Sequence, residues 1–310
     1  MQISETSSYI GRFAPSPTGP LHFGSLVTAI ASYLQARCKK GKWLLRIENI
    51  DPPREQKNAS EQIIRTIEKY GFEWDGSIHY QSKNYQAHTE ALNLLIKRSL
   101  AYPCKCSRKD LANSKMGPLG TIYPGTCRNL KNSTNNPYRL LTNNKNIEFV
   151  DQIQGYYSQK LESESGDFII LRRDGLIAYN LAVVVDDEHH GITEIVRGFD
   201  LLSSTPRQIW IQELLDYKTP NYIHVPIITC ENGIKLSKLN GAIGISQEHI
   251  SETIFSALQH LHQDPPKELM SAPILDIWSW ATENWKIGKL RGNKQITLKN
   301  SKKFKIISNL

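Results

Sequence analysis

Two separated segments carry residue types suited to phosphate chemistry. The first, Pro15-Ser16-Pro17-Thr18-Gly19-Pro20-Leu21-His22-Phe23-Gly24-Ser25, lies between a β-like run and a helical pattern. A helix start offers unpaired N–H groups and a positive dipole end, which suit phosphate. Gly24 lets a ligand approach the backbone closely. His22 can donate to a phosphate oxygen as charge develops on it. The second segment, Lys235-Leu236-Ser237-Lys238-Leu239, follows an Asn232-Gly233 turn. Two ammonium groups three residues apart can neutralise a polyphosphate and follow charge onto a leaving group. Taken alone, a His beside a Gly reads as structural and a lysine pair as a solvated loop. Together they point to nucleotide chemistry.

A third group is Cys104 and Cys106 in a C-x-C pair, with Cys127 further on. Three thiolates can hold zinc, which wants four ligands in a tetrahedron. Without a second pair, three buried thiols fit the same spacing. Cys38 and Cys230 read as packed thiols. Asp186-Asp187-Glu188-His189-His190 reads as the solvated acidic end of an apolar strand rather than a metal cluster.

The elements that must position these residues alternate. Ser8 to Phe13 reads as a strand, Gly24 to Cys38 as a helix and Trp43 to Ile47 as a strand. Helical patterns return at 59–70 and 85–100. That rhythm predicts an α/β fold with a parallel sheet and crossover helices. It fails between 103 and 161, which reads as an insertion. Beyond it, Phe168 to Leu171, Ala178 to Val185 and Tyr222 to Thr229 read as strands. Pro206 to Tyr217 reads as a helix capped by Ser203, Ser204 and Thr205. After Gly241 the chain turns helical and carries Trp278, Trp280 and Trp285.

With 310 residues, about two domains are expected. Hydrophobic residues at 39% and charged residues at 22% exclude a disordered chain. No run of 18 apolar residues exists, so no membrane partner is expected. The first residues carry no secretory signal pattern. Five cysteines are too few for a disulfide scaffold, which places the chain in a reducing cytoplasm. The net charge of +8 is concentrated from Lys286 to Leu310, which holds eight basic residues and no acidic one. Such a tail meets phosphate or simply solvent.

The two phosphate-type segments resemble the His-Ile-Gly-His and Lys-Met-Ser-Lys-Ser signatures of class I aminoacyl-tRNA synthetases. Gly11-Arg12-Phe13-Ala14-Pro15-Ser16-Pro17-Thr18-Gly19 narrows the resemblance to the glutamyl/glutaminyl branch. Arg46 to Asp51, Ala178 to Asp187 and Ile195 to Leu202 agree with it. About 70 residues follow Lys238, too few for the large anticodon-binding region of a full glutamyl-tRNA synthetase. With Leu21-His22-Phe23-Gly24-Ser25-Leu26, that length resembles the glutamyl-queuosine tRNA(Asp) synthetase family.

The resemblance implies a Rossmann-like class I catalytic core with a zinc-bearing insertion and a short helical C-terminal region. The expected division is 1–102 and 166–240 for the two core halves, 103–165 for the insertion and 241–310 for the helical region. The implied reaction activates glutamate with ATP, without tRNA, then transfers it to the wobble queuosine of tRNA(Asp). The implied glutamate contacts are Arg12, Phe13, Ala14, Pro15, Ser16, Glu48, Tyr179 and Arg197. His22, Gly24, Lys235, Ser237 and Lys238 are implied at ATP, with His22 and Lys238 catalytic. One structural zinc on Cys104, Cys106, Tyr123 and Cys127 is implied, and Mg²⁺ with ATP. A monomer is expected. Two departures stand out: Asn49 where the family usually has Asp, and Leu239 in place of the last Ser of the lysine loop. The rival readings are a conventional synthetase charging a tRNA 3′ end and a catalytically silent tRNA-binding protein.

Overall fold

A computed structural model of the chain describes residues 8–131, 135–230, 233 and 244–298. β1 (Ile10–Phe13) leads through the proline-rich loop into α1 (Phe23–Cys38), and the chain returns as β2 (Lys42–Ile47). β1 pairs with β2 in parallel, with Ile10 opposite Lys42 and Phe13 opposite Leu45. α2 (Ala59–Lys69) crosses to the short β3 (His79–Tyr80), which pairs in parallel with the end of β2. α3 (Tyr85–Lys97) completes the first half. The predicted alternation of strand and crossover helix is therefore present, and each predicted helix lies within a few residues of its expected bounds.

The break in rhythm is also real. β4 (Ala101–Pro103) is followed by the hairpin β5 (Met116–Gly117) and β6 (Gly120–Thr121), then β7 (Tyr138–Leu140). A longer antiparallel hairpin follows, β8 (Asn146–Asp151) with β9 (Gly155–Lys160), then a single turn α4 (Leu161–Glu164) and β10 (Phe168–Leu171). β7 pairs antiparallel with both β4 and β10, so strands from before, within and after the insertion share one sheet. Asp167 pins this module. Its carboxylate accepts from Arg128 at 2.7 and 2.8 Å, from the Thr142 N–H at 2.8 Å and from the Tyr102 hydroxyl. Burial raises its pKa, but the Arg128 guanidinium and these donors bring it below the ordinary carboxylate value.

The second half runs through α5 (Tyr179–His189), β11 (Glu194–Gly198), α6 (Thr205–Leu215), β12 (Asn221–Val225) and β13 (Ile227–Thr229). β11 and β12 pair in parallel. β11 follows Thr193, whose N–H donates to Ile10 O at 2.9 Å, so the two halves meet along β1. Here three expectations need correction. Ala178 to Val185 is not a strand but the first turns of α5. Its β-branched run favours a strand locally, yet Leu181 to Asp187 are all buried, and packing on every side overrides propensity. Tyr222 to Thr229 is two strands, divided at Pro226, which has no N–H for a ladder. Ser203 and Ser204 lie in a 3₁₀ turn before α6 and make no side-chain cap.

α7 (Ile250–His260) and α8 (Ile274–Asn284) pack back onto the first half rather than standing apart, and β14 (Gln295–Thr297) pairs with β13. α1 is buried nearly all round because these helices cover the side that the sheet does not. Trp278 joins an aromatic cluster, with ring centroids 4.8 Å from Phe72 and 5.0 Å from Tyr33. Its indole N–H donates to Tyr70 O at 3.0 Å, and that of Trp285 to Gln35 Oε1 at 2.8 Å. The basic tail is thus part of the fold through Leu298, and residues 299–310 lie outside the described residues. Among the described residues no helix is long and apolar enough to cross a membrane.

Truncating Trp278 to alanine would remove a ring packed on two aromatic neighbours and a hydrogen bond to the Tyr70 carbonyl. Its unfolding free energy in urea is expected to fall by about 3–5 kcal/mol. A loss under 1 kcal/mol would show that α8 is not tied to the core.

Candidate active site

The proline-rich loop forms the rim of a cleft of about 350 Å³ at the carboxyl ends of β1, β2 and β11. Open parallel sheets bind ligands at this edge, where strand ends and helix starts face one space. Arg12, Phe13, Ala14, Pro15, Ser16, His22, Glu48, Tyr179 and Arg197 all line it, so every glutamate-type residue inferred from sequence is gathered there. Gly24 lines a smaller adjoining pocket of about 120 Å³ with His22 and Gly198. Lys235, Ser237 and Lys238 lie outside the described residues. The chain re-enters the described range beside the same loop. Gly244 bridges His22 in antiparallel fashion, and Ile245 N–H donates to Leu21 O at 2.9 Å.

His22 caps α1. Its Nδ1 accepts the Ser25 N–H at 3.2 Å, and its Nε2 stands 3.1 Å from Ser25 Oγ. The cap orients the imidazole at the helix start. Glu48 is held at the end of β2 by its N–H, which donates to Pro15 O at 3.0 Å.

Beneath the cleft lies a buried ionic network that the sequence did not disclose. Asp187 accepts from Arg12 Nε at 3.0 Å and NH2 at 3.3 Å, and from Arg46 NH1 at 2.7 Å. Arg46 NH2 also donates to Glu48 Oε1 at 3.3 Å. All four side chains are nearly closed to solvent. Two cations meet two anions, so the quartet is neutral as a unit. Burial alone raises the Asp187 pKa, but Arg12 and Arg46 hold it below the ordinary carboxylate value. For Glu48 burial wins, and its pKa is raised despite Arg46 and Arg12. The expectation of a solvated acidic run at 186–187 is therefore wrong. Asp186 is fully buried too, accepting from Gln81 at 2.6 Å and Asn84 at 2.7 Å, with His88 Nε2 at 2.7 Å. Reading 178–185 as a strand hid this, because a helix carries both carboxylates inward one turn before its end.

Arg12 and Arg197 differ in how their charge is met. The side-on fork of Arg12 is filled by Asp187, which leaves NH1 for a ligand. Arg197 is buried among neutral partners: Nε donates to His224 Nε2 at 3.0 Å, NH1 to Gln208 Oε1 at 2.7 Å and NH2 to Thr205 Oγ1 at 2.8 Å. Since Nε2 of His224 accepts, its proton sits on Nδ1, 2.7 Å from Asp151 Oδ2. Burial lowers the His224 pKa to about 4, which keeps it neutral in this role. Three of the five N–H groups of Arg197 are used. The other two, and a charge that no buried carboxylate among the described residues pairs with, face the cleft where an anion can bind.

Cys104, Cys106 and Cys127 converge, with all three sulfurs within 4.8 Å of one another. Two thiolates on a tetrahedral zinc stand roughly 3.8 Å apart, and a thiolate and a phenolate oxygen about 3.5 Å. Cys106 Sγ lies 3.6 Å from Cys127 Sγ, and Tyr123 Oη lies 3.5 Å from Cys104 Sγ and 3.6 Å from Cys106 Sγ. The cluster therefore has the dimensions to hold such an ion. Arg139 stacks 3.8 Å over the Tyr123 ring and donates through Nε to Cys104 Sγ at 3.2 Å. Burial pushes the Cys127 thiol up, but hydrogen bonds from Tyr123, the Lys105 N–H and the other two cysteines bring it to about 7. Asn49, the departure beside Glu48, exchanges hydrogen bonds with Ser82, accepting from its N–H at 3.0 Å and donating to Oγ at 2.9 Å.

The catalytic-domain family of tRNA synthetases class I (E and Q) matches residues 10–261. The chain is 50% identical over 286 residues to a glutamyl-Q tRNA(Asp) synthetase of Pseudomonas fluorescens, covering 92% of this chain and 94% of that protein. It is 47% identical over 284 residues to the one from Dechloromonas aromatica, covering 90% and 94%. A crystal structure of a glutamate-tRNA synthetase from Elizabethkingia anophelis superposes with a TM-score of 0.76 at 21% identity, over 97% of this chain and 70% of that one. The fold is thus the class I catalytic core expected from the sequence.

Asp187→Asn would leave Arg12 and Arg46 buried with one carboxylate between them. A loss of about 3–5 kcal/mol in urea unfolding is expected; a near-native midpoint would mean that the network contributes little. A pH effect follows from His224 and His190, both lowered by burial to about 4 from the ordinary 6.5. The unfolded chain binds more protons than the folded one between these values. Their contribution is complete above about pH 6.5 and is lost as pH falls toward 4, at up to roughly 1.4 kcal/mol per pH unit for the buried His224 and less for the partly exposed His190, where solvent screens the effect. Urea midpoints at pH 7 and pH 5 measure this, and equal midpoints would refute it.

Proposed function

Since this chain belongs to the glutamyl-Q tRNA(Asp) synthetase family of the class I tRNA synthetases, we propose that it ligates glutamate to the wobble queuosine of tRNA(Asp), after activating glutamate with ATP in a step that needs no tRNA. The observation that carries this reading is the cleft, where Arg197 is held by neutral groups with its charge left for an anion. Arg197 and NH1 of Arg12 take a carboxylate of glutamate. Glu48 and Tyr179 face its ammonium, while Phe13, Ala14, Pro15 and Ser16 shape the wall.

In the first step a glutamate carboxylate oxygen attacks the α-phosphorus of ATP. The α–β phosphoanhydride bond breaks and pyrophosphate leaves. His22 and the start of α1, with Gly24 allowing close approach, meet the phosphates, and Mg²⁺ accompanies ATP. Lys235, Ser237 and Lys238 act on the departing charge. In the second step a hydroxyl of the queuosine cyclopentenediol attacks the glutamyl carbonyl carbon. The ester forms as AMP leaves, and the hydroxyl proton is released to solvent. The protein's part throughout is orientation and electrostatic stabilisation.

One structural zinc sits on Cys104, Cys106, Cys127 and Tyr123, supported by their spacing and by Arg139 beside them. In this reading 1–102 and 166–240 are the two halves of the catalytic core, 103–165 the zinc-bearing insertion and 241–310 the helical C-terminal region. The protein works as a cytoplasmic monomer.

Purified protein is expected to exchange pyrophosphate into ATP with glutamate and Mg²⁺, with no tRNA added. Lys238→Ala should slow exchange by roughly 10²-fold, and a native rate would remove that lysine from the phosphates. Glutamate transfer should require queuosine in tRNA(Asp) and survive periodate treatment of the 3′ end when the nucleoside diol is protected. Charging that tracks the 3′ end instead identifies a conventional synthetase, and absence of exchange identifies a silent tRNA-binding protein. Elemental analysis should find about one zinc per chain, lost in Cys106→Ser. A folded wild type without metal would overturn the zinc assignment.

A further inference from the structure

A second cavity of about 440 Å³ adjoins the cleft and shares Ser16, Thr18, Glu48 and Tyr179 with it. Its far walls come from the turn after β2, from Gln81 and from Arg172 after β10. Two features there are unexplained by the fold. Gln81 is 1% exposed and its amide NH₂ donates to Asp186 Oδ2 at 2.6 Å. That bond fixes which way the amide faces, and Oε1 is left buried with no partner among the described residues. A buried acceptor without a donor is costly, so such a group marks a place where a ligand donates.

The second feature is a charge imbalance. Asp51 is answered by Arg172, 3.0 Å away, and by Arg54. Glu55, in the same wall, accepts only the Asp51 N–H at 3.2 Å and enters no ion pair among the described residues. Of the other carboxylates that line the cavity, Glu48 and Asp51 are paired with arginines and Asp200 lines it together with Glu55, so the wall is acidic and, with the Gln81 amide oxygen, suits a ligand that is cationic and carries N–H donors. Arg54, largely exposed at the mouth, faces solvent where a polynucleotide phosphate can lie.

We propose that this cavity receives the side chain of the acceptor nucleoside: a protonated secondary amine bearing a vicinal diol. This rests on the function proposed above and deepens it. The ammonium meets Glu55, an N–H meets Gln81 Oε1, and the diol passes Tyr179 and Glu48 to reach the glutamyl carbonyl in the adjoining cleft. The base is splayed out of its loop, as single-stranded RNA recognition generally requires. Glu55 and Gln81 are therefore specificity residues for the second substrate and stand apart from glutamate activation.

Glu55→Gln removes the charge and keeps an acceptor for the Asp51 N–H. Gln81→Leu removes the unpaired oxygen. In the full-length protein both should exchange pyrophosphate with glutamate at rates within about twofold of wild type. Both should raise KM for queuosine-containing tRNA(Asp) by about 10- to 100-fold, the worth of a charge-assisted hydrogen bond. Should Gln81→Leu fail to fold, because Asp186 loses a donor, Glu55→Gln decides alone. An unchanged KM in Glu55→Gln, or a loss of exchange equal to its loss of transfer, overturns the assignment. If wild type modifies queuosine and the folded variants match it, only this cavity is wrongly assigned. If wild type charges a 3′ end, the functional reading fails and the assignment falls with it.

Discussion

One carboxylate, Asp187, holds the catalytic half of this molecule in register. It stands on α5 of the second half and binds Arg12 from the end of β1 and Arg46 from β2 of the first. Strands that enter the sheet more than 100 residues before it are thereby fixed to a helix that follows the insertion. The constraint is stringent because all the groups are buried. Removing one charge leaves another without its partner, and desolvation makes that state expensive. Glu48, placed at the end of β2 by its N–H on Pro15 O, has its carboxylate held through Arg46, and Arg12 presents a single free nitrogen because Asp187 has taken the other two.

The cleft above is organised by contrast. Arg197 is as buried as Arg12 but is surrounded by His224, Gln208 and Thr205, none of them anionic. Burial lowers the His224 pKa and keeps the ring neutral against the Asp151 carboxylate that its Nδ1 proton faces. A residue on the β8–β9 hairpin of the insertion thus sets the tautomer of a histidine on β12, and that tautomer sets the position of a cation on β11. The insertion is mechanically part of the site although it contributes no residue to the cleft wall.

Much of this was legible in the sequence. The proline-rich string at 15–25, the Arg12–Ser16 run, Glu48, Tyr179 and Arg197 converge on one cleft, because motif residues sit at strand ends where little else can vary the geometry. The cysteine trio converges for the same reason, as ligand spacing is local. What the sequence concealed was long-range pairing. Asp186 and Asp187 looked like solvent-facing acids at the end of a strand, since the Val183-Val184-Val185 run suits a strand locally. Only the burial of the whole helix, a tertiary property, turns them inward. A signal was available: Arg46, an arginine inside an otherwise apolar strand, needed a buried anion somewhere. Gln81, Glu55 and Asp151 gave no signal at all, being ordinary polar residues in turns and at a hairpin corner.

The bridge between Gly244 and His22, with the Ile245 N–H on Leu21 O, fastens the residues before α7 to the loop that opens α1. α7 closes on the same helix start from its far end, where the His260 ring meets Phe23 edge-on at 5.4 Å. The cap of α1 is therefore gripped by chain from the C-terminal end of the described residues. Proteins open locally in cooperative units rather than residue by residue. The first turn of α1 and the helix that covers it form one such unit, and neither can fray without loosening the other.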